Sequence, residues 1–156
     1  MTDRCTIDDL LARVRARLER VAPEDLSAEI RSGAVVIDVR PADQRARDGA
    51  LPGAVVVERN VLEWRLDPTS PSRLPIAVDK ERIVVVVCNE GFSSSLSAAT
   101  LQRLGLLRAT DLIGGFQEWS STFGGLSGDA RAVSADGHCL GGSRPERDGS
   151  GLPRSR

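Results

Sequence analysis

A chain of 156 residues has room for one domain plus terminal extensions. With 40% hydrophobic and 28% charged residues and a formal net charge of -1, it has the make-up of a soluble globular protein, and no strong field points to nucleic acid or a membrane. Aromatics are only 3%, too few for a base-stacking surface, and no apolar run nears the roughly 20 residues of a membrane helix.

The N-terminus, Met1-Thr2-Asp3-Arg4, mixes charges and leads into no long apolar segment, so a secretory signal is not expected. Ile7 to Arg20 reads as an amphipathic helix with Ile7, Leu10, Leu11, Val14 and Leu18 on one stripe, and Thr6 with Asp9 fits a capping box. This segment is expected to be a solvated helix packed loosely on the domain. Pro23 opens a second helix to Arg31, which Gly33 ends. Val35 to Val39 is an apolar strand carrying Asp38 at its end, with Arg40 just beyond. Pro41 starts a short helix to about Arg47. Gly49 to Ala54 is turn chemistry and Val55 to Val57 a second strand. Glu58 to Asp67 is mixed, with a helical turn at Val61 to Trp64, and Pro68, Pro71 and Pro75 mark a surface loop.

Ile83 to Val87 is the third strand, and it runs straight into Cys88. A short loop with one glycine follows, then serines, then a helical pattern from Leu96 to Leu104. Thr110 to Ile113 is a fourth strand, closed by Gly114-Gly115, and Phe116 opens a last helix. From Gly124 to Arg156 glycine, serine, arginine and aspartate dominate and periodicity disappears, so this stretch reads as largely disordered. Three regions are therefore expected: an N-terminal helical extension over 1–22, a domain over 23–123 and a tail over 124–156.

Strands separated by helices imply parallel pairing, and continuously apolar strands imply a sheet covered on both faces. The fold class is α/β: a small parallel sheet flanked by helices on both faces. Ligands of such sheets bind beyond the carboxyl ends of the strands, where Cys88, Asp38, Arg40 and Glu58 all fall. Strand, cysteine, tight loop and helix together form an anion cradle with a nucleophile at its base. Loop amides and a helix N-terminus both favour negative charge beside the sulfur and lower a thiol pKa.

Cys5, Cys88 and Cys139 are widely spaced and odd in number, which suits neither a disulfide framework nor a zinc site; a reducing cytoplasm fits best. The one histidine, His138, sits beside Cys139 in the polar tail, where an incidental pair is expected. No metal and no cofactor are expected. Cys88 taken alone reads as a buried, inert core cysteine. The loop around it argues for a nucleophile.

Four segments resemble the rhodanese family of sulfurtransferases. Ile37-Asp38-Val39-Arg40 resembles its first-strand signature, and Asp48 to Ala54 its Gly-His-Ile-Pro-Gly-Ala turn. Cys88 to Ser94 resembles its active-site loop, and Leu112 to Trp119 its Gly-Gly-aromatic-x-x-Trp element. They stand in the family's order and spacing. Ala50 replaces the usual histidine of the turn, and Glu90 puts a negative charge where thiosulfate-specialised members carry basic residues.

The resemblance implies a Cys88 persulfide. Sulfur would be taken from thiosulfate or from a protein or low-molecular-weight persulfide, and passed to a thiol or cyanide, with a sulfur-carrier protein as a further partner. Asn89, Glu90, Gly91, Phe92, Ser93 and Ser94 would form the loop, and Gly91 would let it curl. Arg59 and Arg40 are candidate contacts for an anionic donor, against surface solvation for the first and a rim ion pair for the second. Asp38 is expected to bond nearby backbone or an arginine such as Arg47. Trp64 is expected as a wall of the site or a plug under the loop, and Trp119 in the core. Two other functions remain open. One is a non-catalytic binding or regulatory module on this fold. The other is a phosphatase or arsenate reductase, which needs a longer loop ending in arginine where this chain has Ser93 and Ser94.

Overall fold

The computed structural model describes residues 5–124 and the pair Val133–Ser134. Its centre is a parallel sheet of β1 (Val35–Asp38), β2 (Val55–Val56), β3 (Val84–Val87) and β4 (Ala109–Asp111), with β5 (Val133–Ser134) beside β2; the order is β4-β3-β1-β2-β5. The chain runs from β1 outward to β2, then crosses back to β3 on the other side of β1. Strand order thus reverses between β1 and β3, and a crevice opens at their carboxyl ends, the usual ligand position in such sheets. Asp38 pairs with Val87 in register, so Cys88 emerges at that crevice.

The four valines of β3 serve two cores, because successive side chains point to opposite faces. Val84 and Val86 pack with Ile37, Leu62, Leu66 and Leu101, under α4 (Leu62–Leu66) and α5 (Ser93–Arg103). Val85 and Val87 pack with Val36, Leu26, Leu112 and Phe116, under α2 (Leu26–Arg31) and α6 (Gly115–Phe123). Helices on both faces explain why the strands read as unbroken apolar runs.

The first helix, α1 (Ile7–Arg15), has the expected capping box: Asp9 N–H donates to Thr6 Oγ1, and Thr6 N–H donates to the Asp9 carboxylate. It ends five residues before the expected Arg20. The chain leaves the helix so that Val21 can pair with the β4 end: Val21 N–H donates to the Asp111 carbonyl, and Ile113 N–H to the Val21 carbonyl. Leu18 and Val21 are buried there, so tertiary pairing overrides the helical pattern. The segment is also more firmly held than expected: α1 lies against α5 with Leu11 buried, although Ile7 and Leu10 stay exposed.

Smaller differences concern element ends. A single 3-10 turn over Pro23–Asp25 precedes α2, and α3 spans Ala42–Asp48. Helix α5 begins at Ser93, three residues before the expected Leu96, because its first-turn amides find an acceptor in Cys88. The expected tail lies outside the described residues, His138 and Cys139 included, except for Gly124 and the β5 pair, which lines up with Val55–Val56. Among the described residues no helix is long and apolar enough to cross a membrane.

The cores carry different weights at different positions. Leu101→Ala, at a fully buried site on α5, should cost about 2–5 kcal/mol in denaturant unfolding. Leu107→Ala, at an exposed site, should stay within about 0.5 kcal/mol.

Candidate active site

Cys88 is 7% exposed and sits on the floor of an open pocket of about 620 Å³. Three groups converge on its sulfur. Gly91 N–H donates to Sγ at 3.2 Å and Ser94 N–H at 3.4 Å, while the thiol lies 3.2 Å from Ser94 Oγ, to which it can donate. Burial alone would push this thiol up. Hydrogen bonds from the Ser94 and Ser93 hydroxyls and the Ser94 and Gly91 amides outweigh burial and hold it below the ordinary thiol value. The cradle expected from the sequence is present, and the N-terminus of α5 supplies part of it.

The loop is held from behind by the start of α6. Phe116 N–H donates to the Cys88 carbonyl at 2.9 Å, and Gln117 N–H to the Asn89 carbonyl at 3.0 Å. Asn89 also receives the Gln117 side-chain amide on its Oδ1 at 3.0 Å. These bonds require the two backbones to touch. A Cβ on Gly115 would lie 2.5 Å from the Cys88 oxygen and 2.6 Å from the Gly91 nitrogen. Gly91 itself has φ +79, the left-handed region that turns its N–H back onto the sulfur.

The remaining expected site residues take separate places. Phe92 is 53% exposed at the mouth, with the Arg15 guanidinium 5.5 Å from its ring centroid. Glu90 is exposed and Ser93 lines the pocket. Arg40 lines the pocket too, yet it is buried; its Nε and Nη2 are bound to Asp38, with Nη2 at 2.8 Å from Oδ2, while Nη1 is buried with no hydrogen-bond partner among the described residues. Nη2 also donates to the Gly49 carbonyl, and the guanidinium stacks 3.5 Å above Phe116. Arg40 thus forms an ion pair with Asp38, whose Oδ1 also accepts from the Arg40 backbone N–H at 3.0 Å, and Arg47 pairs with Asp48 instead. Arg59 lines the pocket with its charge on Glu63 at 3.0 Å. Trp64 neither lines the pocket nor plugs the loop; it is 62% exposed. Trp119 is part-buried against Phe116 and Phe123.

Sequence reasoning missed what lies under the loop. Asp111 is fully buried; its Oδ2 accepts from Ser94 Oγ at 2.9 Å and Ser95 Oγ at 2.7 Å, and Arg20 Nε reaches its Oδ1 at 2.7 Å. The Gly91 carbonyl accepts from Arg15 at 2.8 Å and Arg20 at 3.3 Å. The available signal was a charged residue inside the apolar fourth strand, which needs a buried cation or donors. No group of side chains suited to a metal ion occurs among the described residues.

Comparison with known proteins agrees with this architecture. The rhodanese-like domain family matches residues 22–122. A thiosulfate sulfurtransferase, GlpE, of Pseudomonas fluorescens is 32% identical over 108 residues, covering 69% of this chain and 90% of the relative. GlpE of Pseudomonas entomophila is 31% identical over 117 residues, covering 75% and 98%. Among solved structures, a protein from Rhodopseudomonas palustris, described as of unknown function and a possible tyrosine phosphatase, superposes with a TM-score of 0.69 at 31% identity, covering 78% of this chain and 93% of that one. A human single-domain sulfurtransferase shares the fold at a TM-score of 0.55 and 24% identity, covering 65% and 95%. The chain belongs to the rhodanese-like domain family. It is an enzyme of the sulfurtransferase class.

Gly115→Ala should lower stability by about 1–3 kcal/mol through its left-handed backbone alone, with the overlap at Cys88 and Gly91 adding to that. Alkylation of Cys88 should slow in the same variant, because the amides lose their aim; thermal unfolding and peptide-resolved alkylation measure the two effects.

Proposed function

We propose that the protein moves sulfane sulfur through a persulfide on Cys88. The observation that carries this reading is the Cys88 sulfur at a pocket floor, met by the Gly91 and Ser94 amides and held below the ordinary thiol pKa. In the first half-reaction the thiolate attacks the outer sulfur of a donor, and the S–S bond of the donor breaks. Sulfite leaves when the donor is thiosulfate, and a thiolate leaves when it is an alkyl or protein persulfide. The negative charge then rests on the terminal sulfur of Cys88–S–S⁻. In the second, cyanide or an acceptor thiolate attacks that terminal sulfur, and Cys88 departs as thiolate. Both leaving groups are stable anions, so the reaction needs an activated nucleophile and donors more than an acid or base.

The pocket size admits a small donor, and the curated relatives are named for thiosulfate. A further relative, an adenylyltransferase and sulfurtransferase of Ogataea parapolymorpha, is 31% identical over 102 residues, covering 65% of this chain and 23% of that protein. It supports a sulfur-carrier protein as an additional partner. Cys88 must start and end each cycle as a free, reduced thiol, which favours the cytoplasm as the working compartment. A phosphatase reading lacks a chemical basis: residues 89 to 95 contain no arginine to fork a phosphoryl group.

The purified protein should release sulfite from thiosulfate with cyanide as acceptor, and Cys88→Ser should lose that activity. Intact mass after donor treatment should rise by one sulfur atom in the wild type only. Equal residual activity and no mass gain in either protein would overturn the reading in favour of a binding module.

A further inference from the structure

The Ser94 hydroxyl has two claimants. Its oxygen stands 3.2 Å from Cys88 Sγ and 2.9 Å from Asp111 Oδ2. A hydroxyl carries one proton and can donate to only one of them at a time. The carboxylate is supplied without it: Arg20 reaches Oδ1 at 2.7 Å and Oδ2 at 3.1 Å, and Ser95 Oγ is 2.7 Å from Oδ2; the Gly91 carbonyl, 3.2 Å from the same Ser95 oxygen, has Arg15 and Arg20 as donors, which leaves the Ser95 proton to the carboxylate. Asp111 is completely buried and Arg20 is part-buried, which places this ion pair directly behind the cradle.

We propose that Asp111, anchored by Arg20, is a positioning residue that shares the single Ser94 hydroxyl proton with the Cys88 sulfur, so that the hydroxyl turns between them as the sulfur changes state. The assignment rests on Cys88 being the reacting nucleophile. In the thiol, S–H donates to Ser94 Oγ and Ser94 donates to Asp111. When the thiol proton leaves to solvent, the Ser94 hydroxyl rotates about its Cβ–Oγ bond and donates to the thiolate, and Ser95 and Arg20 keep the carboxylate satisfied. In the persulfide the charge sits on the outer sulfur. Sγ then needs no donor, and the hydroxyl returns to Asp111. No covalent bond is made or broken in the turn itself. Ser94 thereby supports the anionic sulfur at the start of the first half-reaction and at the end of the second.

The same network gives the N-terminal segment a part in the site. Arg15 and Arg20 both donate to the Gly91 carbonyl, and Arg15 Nε also donates to Ser95 Oγ at 3.1 Å. They hold one side of Gly91, the residue whose own N–H points at the sulfur from the preceding peptide. The charged groups around Cys88 are therefore Arg15 and Arg20 from that segment, Asp111 from β4 and Glu90 on the loop. Across the pocket stand Glu58, Arg59 and the Asp38–Arg40 pair.

The test is a double-mutant cycle on the full chain, with the pH dependence of iodoacetamide alkylation followed on the Cys88 peptide by mass spectrometry. This readout does not require sulfur transfer, so its outcome is separable from that of the sulfite assay. Ser94→Ala should move the alkylation midpoint up. Asp111→Asn should move it down by about half a pKa unit, roughly threefold in thiolate fraction, because a contested proton and a nearby negative charge are both released. In the Ser94→Ala background the same substitution should shift the midpoint less than half as far. Equal shifts in both backgrounds would reduce Asp111 to a simple charge effect and overturn the sharing. A midpoint that rises or stays put in Asp111→Asn would overturn it as well, since a loosened loop predicts that sign. If Asp111→Asn does not fold, the cycle is run with Arg20→Gln: it leaves the carboxylate less neutralised, so the midpoint should rise, and that rise should be less than half as large in the Ser94→Ala background, while equal rises in both backgrounds, no shift or a fall overturn the proposal.

Discussion

The contact on which this site depends is between two stretches of bare backbone. The loop after β3 lies against the first turn of α6, and the Cys88 and Asn89 carbonyls are capped by the Phe116 and Gln117 amides. A helix N-terminus has amides without intrahelical partners, so the docking satisfies both sides at once. It works only because position 115 has no side chain: the space where a Cβ would stand is filled by the Cys88 oxygen and the Gly91 nitrogen. Once the carbonyls are turned backward, the next amides can turn forward onto the sulfur. The setting of the Cys88 thiol is therefore a consequence of how a strand end and a helix start meet.

Most charge at the site is arranged in pairs, while Arg15 is bound to Ser95 Oγ and the Gly91 carbonyl. Arg40 is tied to Asp38 on one side of the crevice and Arg20 to Asp111 behind the loop, both pairs with buried carboxylates. Burying an ion pair costs desolvation, and such pairs persist when additional hydrogen bonds complete them. Asp111 also receives the Ser94 and Ser95 hydroxyls, and Arg40 Nη2 also reaches the Gly49 carbonyl, although Arg40 Nη1 stays buried with no partner among the described residues. Support for negative sulfur thus comes from oriented amides and hydroxyls whose positions are set by the pairs. At the mouth, Arg59 has its charge on Glu63, and Glu90 is exposed beside the opening.

The N-terminal segment joins these two themes. Its amphipathic stripe reads as a helix to Arg20, but the helix stops at Arg15 and the next residues run on to pair Val21 with the end of β4. That geometry delivers two arginines to the same carbonyl, Gly91 O. A segment outside the core of the fold thereby becomes a brace for the loop. Helix periodicity records only which residues face one way, so it misses a partner supplied from 70 or more residues along the chain, as the Arg20–Gly91 and Arg15–Gly91 bonds show.

Much of the fold was legible in residues 35 to 119 because the signals are local. Unbroken β-branched runs call for a sheet covered on both faces, glycines mark the positions with left-handed backbone, and a cysteine at a strand end followed by Gly91 and serines marks an anion cradle. What the sequence could not show is which charges pair. Asp38 and Arg40 are two residues apart and still could not be matched by inspection, and Asp111 meets Ser94, Ser95 and Arg20 only after β4 is placed beside β3. Trp64 likewise reads as a wall or plug and is exposed, since nothing local says which side of α4 faces the sheet. The amino-acid sequence by itself determined the elements, the parallel sheet and the cysteine at the end of β3, because backbone preference and hydrophobic period act over a few residues. The tertiary structure alone decided how that cysteine is held, because hydrogen bonds and ion pairs depend on distances of about 3 Å between residues that the chain keeps far apart.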